Sequence, residues 1–149
     1  MDSLERLLIE RECERLVMAY CHYIDGGRAK DVADLFSDDG IWVSVDREVI
    51  GRDAIAKVFL DRQNQSGRVS RHICTNLLID VIDQNKATGV VYVTLFRHDG
   101  PPDRKSSPSG VPTVIGEYRD SFVRTKDGWR FQARTVKIDF AREGTTPPS

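Results

Sequence analysis

Residues 19–40 read AYCHYIDGGRAKDVADLFSDDG, a helix that runs into a carboxylate, Asp25, turns on Gly26 and Gly27, and gives way to a second short helix. Adjacent glycines accept positive φ without steric cost and so close a helix at its C-terminus. That end of a helix carries partial negative charge, which leaves Asp25 misplaced unless a cation or a hydrogen-bond donor meets it. Local rules are broken most often at sites, so the first question the sequence poses is what Asp25 faces.

Upstream, Leu4, Leu8, Ile9, Cys13, Leu16, Val17, Tyr20 and Ile24 form one helical stripe, with Glu5, Arg6, Glu10, Arg11, Glu14 and Arg15 on the other side. Asp2 or Ser3 can cap this helix. Downstream, 29–36 gives a second helix that buries Val32, Ala33, Leu35 and Phe36, and Ser37-Asp38-Asp39-Gly40 reads as a turn. A short strand over 41–45 follows, with 47–50 as its hairpin return, and then a third helix over 52–65. From Arg68 the pattern switches to long strands at 70–82, 87–98, 113–124 and 129–141. Polar turns join the first pair at residues 83–86 and the second at Thr125-Lys126-Asp127-Gly128, where Asp-Gly is a strong hairpin signal. The expected architecture is α+β: three N-terminal helices wrapped by a cone-shaped, curved antiparallel or mixed sheet whose open end is a small-molecule pocket. Residues 1–141 form one domain and 142–149 a frayed tail. The segment DGPPDRKSSPSGV, 99–111, is longer than a hairpin needs; it reads either as a flexible connection or as a mobile lid.

Composition narrows the function. A chain of 149 residues, 40% hydrophobic, buries one core, and its net charge of −1 without basic clusters argues against nucleic acid or an anionic membrane as partner. Cys13, Cys21 and Cys74 show neither a CxxC nor a Cys/His metal spacing, which points to reduced cytoplasmic thiols and no metal. The charged start, MDSLERLLIERECERL, lacks the apolar core of a signal peptide, and no apolar run reaches membrane-spanning length.

In RHICTNLLIDV, alternation places His72 with Cys74, Asn76, Leu78 and Asp80 on one face, a polar mixture that suits a pocket wall better than a solid core. Arg134 shares its face with Val136, Ile138 and Phe140, so it must snorkel, pair with a carboxylate such as Glu117 or Asp139, or await an anion. Asp25 has two candidate partners, His22 one turn back on its own helix and His72. Tyr20 is either a core tyrosine or a donor to a guest.

Taken together, AYxxxxD, LFSDDG, Gly-Arg-Asp opening a helix, RHxxTN on a strand and GEYRDSFVRTKDGWRFQARTV at the end resemble the SnoaL-like branch of the NTF2-like, cystatin-like cone superfamily. The pattern is most similar to its Asp–His dyad members: bile acid 7α-dehydratase, γ-hexachlorocyclohexane dehydrochlorinase and scytalone dehydratase. The resemblance implies a dyad of Asp25 and His72, assisted by Tyr20 and Arg134. A cofactor-independent lyase of the dehydratase or dehydrohalogenase type follows, with a polyketide-cyclase- or isomerase-like enzyme, or a non-catalytic ligand-binding or small-subunit module, as alternatives. The second pocket histidine of scytalone dehydratase is missing from Val90-Val91-Tyr92, and the base of ketosteroid isomerase would fall near Ser44, which disfavours those two chemistries. The pocket wall is expected to include Trp42, Phe59, Asn76, Tyr92 and Ile138, and to receive a small apolar, cyclic substrate. A homo-oligomer, dimer or trimer, is implied, and no organic cofactor.

Overall fold

The computed structural model describes residues 1–145. Helix α1 (Ser3–Asp25) starts at Asp2, whose side chain accepts from the Glu5 N–H while Glu5 accepts from the Asp2 N–H, a full capping box. The second, short helix expected over 29–36 is a 3-10 helix (Ala29–Leu35). It is followed by β1 (Phe36–Val43), β2 (Glu48–Ile50) and α2 (Arg52–Gln63), and then by four long strands: β3 (Arg68–Val81), β4 (Lys86–Asp99), β5 (Val114–Thr125) and β6 (Gly128–Ala141). These lie in one open mixed sheet ordered β2-β1-β6-β5-β4-β3, in which only β1 and β6 run parallel. The α+β cone expected from sequence is the fold the chain adopts.

One core runs between the helices and the inner face of the sheet. Ile9, Cys13, Leu16, Val17, Tyr20 and Ile24 of α1 and Ile55 and Phe59 of α2 pack against Trp42, Val91, Val93, Tyr118, Phe122, Phe131 and Val136. Leu4 and Leu8 are exposed, contrary to the stripe read from sequence, and Leu8 lines a surface groove with Gln84, Arg124 and Trp129. No helix among the described residues is long and apolar enough to cross a membrane.

Local irregularities redirect several side chains. Ser37-Asp38-Asp39-Gly40 lies within β1 rather than in a turn, because five steps of β1 between Phe36 and Ile41 match two steps of β6 between Phe131 and Ala133. In β3 the register slips between Thr75 and Leu78, and Asn76 takes a φ of 56°. The extra residue inverts the alternation: inward positions are His72 and Cys74 before the bulge and Leu77, Ile79 and Val81 after it, which turns Asn76, Leu78 and Asp80 outward. A third irregularity, between Ile115 and Gly116, puts Phe140 opposite Ile115 and out of the inner row that contains Arg134 and Val136; it is 69% exposed.

The segment at 99–113 is pinned rather than loose. Arg104 donates to the carbonyls of Gly67, His98 and Pro101 and to the Ser107 hydroxyl, and Thr113 bonds the Leu95 and Arg97 backbone. Of the expected tail, Arg142 bonds the Thr113 carbonyl at 3.0 Å, and residues 146–149 lie outside the described ones.

Candidate active site

The conflict posed by Asp25 is resolved by β3. After α1 ends, Gly27 takes a φ of 83° and the chain turns away, which leaves the Asp25 carboxylate aimed at the start of β3. Its Oδ2 accepts the His72 backbone N–H at 2.8 Å, and its Oδ1 meets His72 Nδ1 at 2.7 Å and accepts the Ser70 hydroxyl at 2.7 Å. His22, the rival partner on the same helix, is exposed and is not hydrogen-bonded to Asp25. Burial would push the Asp25 carboxyl up, but the hydrogen bonds and charge of His72, with Ser70, hold it below the ordinary carboxylate value. An anionic carboxylate only accepts, so Nδ1 carries a proton, and whenever the ring is neutral the lone pair lies on Nε2. Among the described residues Nε2 has no hydrogen-bond partner.

Behind the dyad stands a support that the sequence reading did not include. Buried Arg62, near the end of α2, donates from Nη2 to Ser70 Oγ at 2.9 Å, so that Arg62, Ser70, Asp25 and His72 form one chain of hydrogen bonds. Ser70 was findable, since it lies two residues before His72 on the same face of the strand.

Tyr20 and Arg134 stand together one layer deeper. The Tyr20 ring meets the His72 ring edge-on at 6.5 Å between centroids, and Trp42 Nε1 donates to its hydroxyl at 3.2 Å. Burial raises the Tyr20 hydroxyl well above its ordinary value, so it stays protonated. Arg134 is fully buried, its guanidinium carbon 4.3 Å from the Tyr20 ring centroid, 4.1 Å from Tyr118 and 4.4 Å from Phe131. It pairs with neither Glu117 nor Asp139 but with Asp120, bidentately, at 2.8 Å through Nε and Nη2. Burial alone would disfavour its charge, yet Asp120 holds it cationic and above the ordinary arginine value. Its Nη1 has no hydrogen-bond partner.

The opening onto the dyad is a cleft of about 350 Å³ lined by Cys21, His22, Asp25, Gly26, Arg71 and His72. None of the five residues expected in the pocket wall lines it. Trp42 and Phe59 are sealed in the aromatic core, and Ile138 is half-buried against that core. Asn76 is turned outward by the β3 bulge, and Tyr92, 51% exposed, stands on the outer face because Val91 and Val93 beside it point in. Among the described residues no cluster of three or more His, Cys, Asp or Glu side chains is placed to hold a metal ion.

Comparison with known proteins agrees with this arrangement of elements. The SnoaL-like domain matches residues 5–135. A protein from Novosphingobium aromaticivorans assigned provisionally as a scytalone dehydratase superposes with a TM-score of 0.81 at 22% identity, over 97% of this chain and 93% of its own. An NTF2-like protein with a cystatin-like fold from the same organism gives 0.76 at 22% identity over 95% and 87%, and LinA gives 0.75 at 18% over 99% and 100%. No curated protein matches the chain.

Proposed function

Since the chain belongs to the SnoaL-like domain family, we propose that it is a cofactor-independent lyase in which His72, oriented by Asp25, takes a proton from a small apolar, cyclic substrate as water or halide leaves. The observation that supports this most is the 2.7 Å contact between Asp25 Oδ1 and His72 Nδ1, with Nε2 unpartnered. An ionised carboxylate on Nδ1 fixes the tautomer and stabilises the imidazolium formed when Nε2 accepts a proton, a contribution on the order of 10²–10⁴-fold in such reactions. Tyr20, protonated and edge-on to His72, is the candidate donor to the leaving group. Arg134 sits under the Tyr20 ring and lends fixed positive charge where negative charge develops. In this reading it acts through Tyr20, because Asp120 and three aromatic rings enclose it.

The test is a panel of cyclic compounds that carry an acidic C–H beside a hydroxyl or halide, assayed for released water or halide together with the organic product. Turnover that drops at least about 100-fold in His72→Ala and Asp25→Asn, with circular dichroism unchanged, supports the lyase. Rearranged product without loss of water or halide would instead indicate the isomerase- or cyclase-like alternative.

A second reading, a ligand-binding or scaffold module, has its own observation. The side chains of His72 and Asp25 are only 3% and 11% exposed, and the cone behind them is filled by Tyr20, Trp42, Phe59, Tyr118 and Phe131. Compounds that raise the melting temperature but are returned unchanged would favour it.

Self-association belongs to the same proposal. Ile73, Thr94, Ile115 and Phe140 are register partners across β3, β4, β5 and β6 on the outer face, and Ile73, Ile115 and Phe140 are exposed. Such a row favours pairing with a second copy. Sedimentation that yields a monomer at micromolar concentration would remove this part.

A further inference from the structure

The two elements that carry the dyad also carry a pair of thiols. Cys21 lies four residues before Asp25 on α1, and Cys74 two residues after His72 on the same inward face of β3. Their Sγ atoms are 3.3 Å apart, and both are free. A disulfide needs about 2.0 Å between sulfurs, so closure requires an approach of about 1.3 Å. Cys21 is also part of the wall of the cleft at Asp25 and His72, and Cys74 is only partly buried. We propose that Cys21 and Cys74 form a reversible intramolecular disulfide on exposure to a peroxide, making the wall of the dyad cleft a redox-modification site that ties α1 to β3.

The chemistry balances with the peroxide as the only other reactant. The contact with Cys21 and the charge of Arg134 hold the Cys74 thiol below its ordinary value, whereas the same contact and burial push the Cys21 thiol up. Cys74 is also the less buried of the two, and it is the sulfur that attacks. Its thiolate takes one peroxide oxygen, the O–O bond breaks, and the departing hydroxide is protonated to water, leaving a sulfenic acid on Cys74. Cys21 sulfur then attacks Cys74 sulfur, the S–O bond breaks, and the hydroxide leaves as a second water with the Cys21 proton. Two thiols are oxidised and one peroxide is reduced. Cys13, fully buried on the same helix and pushed up to about 12 mainly by burial, is an internal control that stays reduced.

The experiment uses the full chain and needs no knowledge of its substrate, so its outcome is independent of the lyase reading. Protein treated with hydrogen peroxide, quenched and denatured is titrated for thiols and weighed by mass spectrometry. The expected result is a fall from three thiols to one, a loss of about 2 Da for two hydrogens, a non-reduced peptide joining Cys21 to Cys74, and full reversal by dithiothreitol. Cys21→Ser should stop at a dimedone-trappable sulfenic acid on Cys74, about 16 Da heavier. Three thiols surviving peroxide, oxidation of wild-type Cys74 to sulfinic acid with Cys21 still reduced, loss of the Cys13 thiol instead, or cross-linking between chains on a non-reducing gel would each overturn the proposal. The wild-type measurement decides it even where a variant fails to fold.

Discussion

Ser70 donates its hydroxyl to the same Asp25 oxygen that meets His72 Nδ1, and both contacts are 2.7 Å long. The hydroxyl also accepts from buried Arg62, so Ser70 joins a cation to the dyad carboxylate. Ser70→Ala strips one acceptor from a guanidinium that already has an unpartnered Nε, and one donor from Asp25. The expected cost is about 1–3 kcal/mol. Urea unfolding should show a lower midpoint with an unchanged slope. Ser70→Thr, which keeps the hydroxyl, should recover most of the loss.

The depressed Asp25 carboxyl makes a statement about acid stability. Its folded value lies below the unfolded one of about 3.9, so between the two the unfolded chain binds more protons and stability rises with pH. The contribution is fully present above the unfolded value and is lost as pH falls through the folded one. Asp25→Asn removes this titration. The stability gap between wild type and variant should be widest near neutral pH and narrow below about pH 4, read from urea midpoints across the acid range.

At Gly116 the backbone of β6 lies directly against β5, at Lys137 and Ile138. A Cβ at this position would overlap the Lys137 carbonyl oxygen, a backbone atom that cannot move without disturbing the β5–β6 ladder. The same place carries the irregularity that faces Phe140 outward. Gly116→Ala should destabilise by about 1–3 kcal/mol or more, and thermal unfolding reports it directly.

Much of this was legible in the residues. The double glycine after Asp25 ended α1 where sequence placed it, and Thr125-Lys126-Asp127-Gly128 closed the β5–β6 hairpin. Alternation from His72 gave its inward face correctly as far as Cys74 and failed beyond it, because Asn76 adds one residue to β3. A bulge is imposed by the curvature the whole sheet must adopt, and nothing in the local residue pattern announces it. Pocket-wall residues depended on that hidden parity and on how completely aromatic rings fill the cone, which is why Asn76 and Tyr92 ended on the outer face. Ser70 was accessible to the same alternation that placed His72, whereas Arg62 arrives from a different element and required the fold itself.

Arg134 shows the same hidden count at higher stakes. From its turn, the hairpin pairs Arg124 with Trp129 and Phe122 with Phe131; at that rate Asp120 would face Ala133. One extra residue in β6 before Ala133 shifts the ladder and sets Asp120 opposite Arg134, where both side chains are wholly buried. Two charges without water are tolerable only together. Asp120→Ala leaves a bare guanidinium among Tyr20, Tyr118 and Phe131 and should cost about 3–5 kcal/mol. Arg134→Met in that background removes the orphaned charge and fills part of its space, so the double variant should be more stable than Asp120→Ala alone, with a coupling of about 0.5–3 kcal/mol in the cycle. Guanidinium unfolding of the four proteins measures it. If the two losses simply add, the pair does not hold the inner layer together, and the fixed charge assigned beneath Tyr20 loses its anchor.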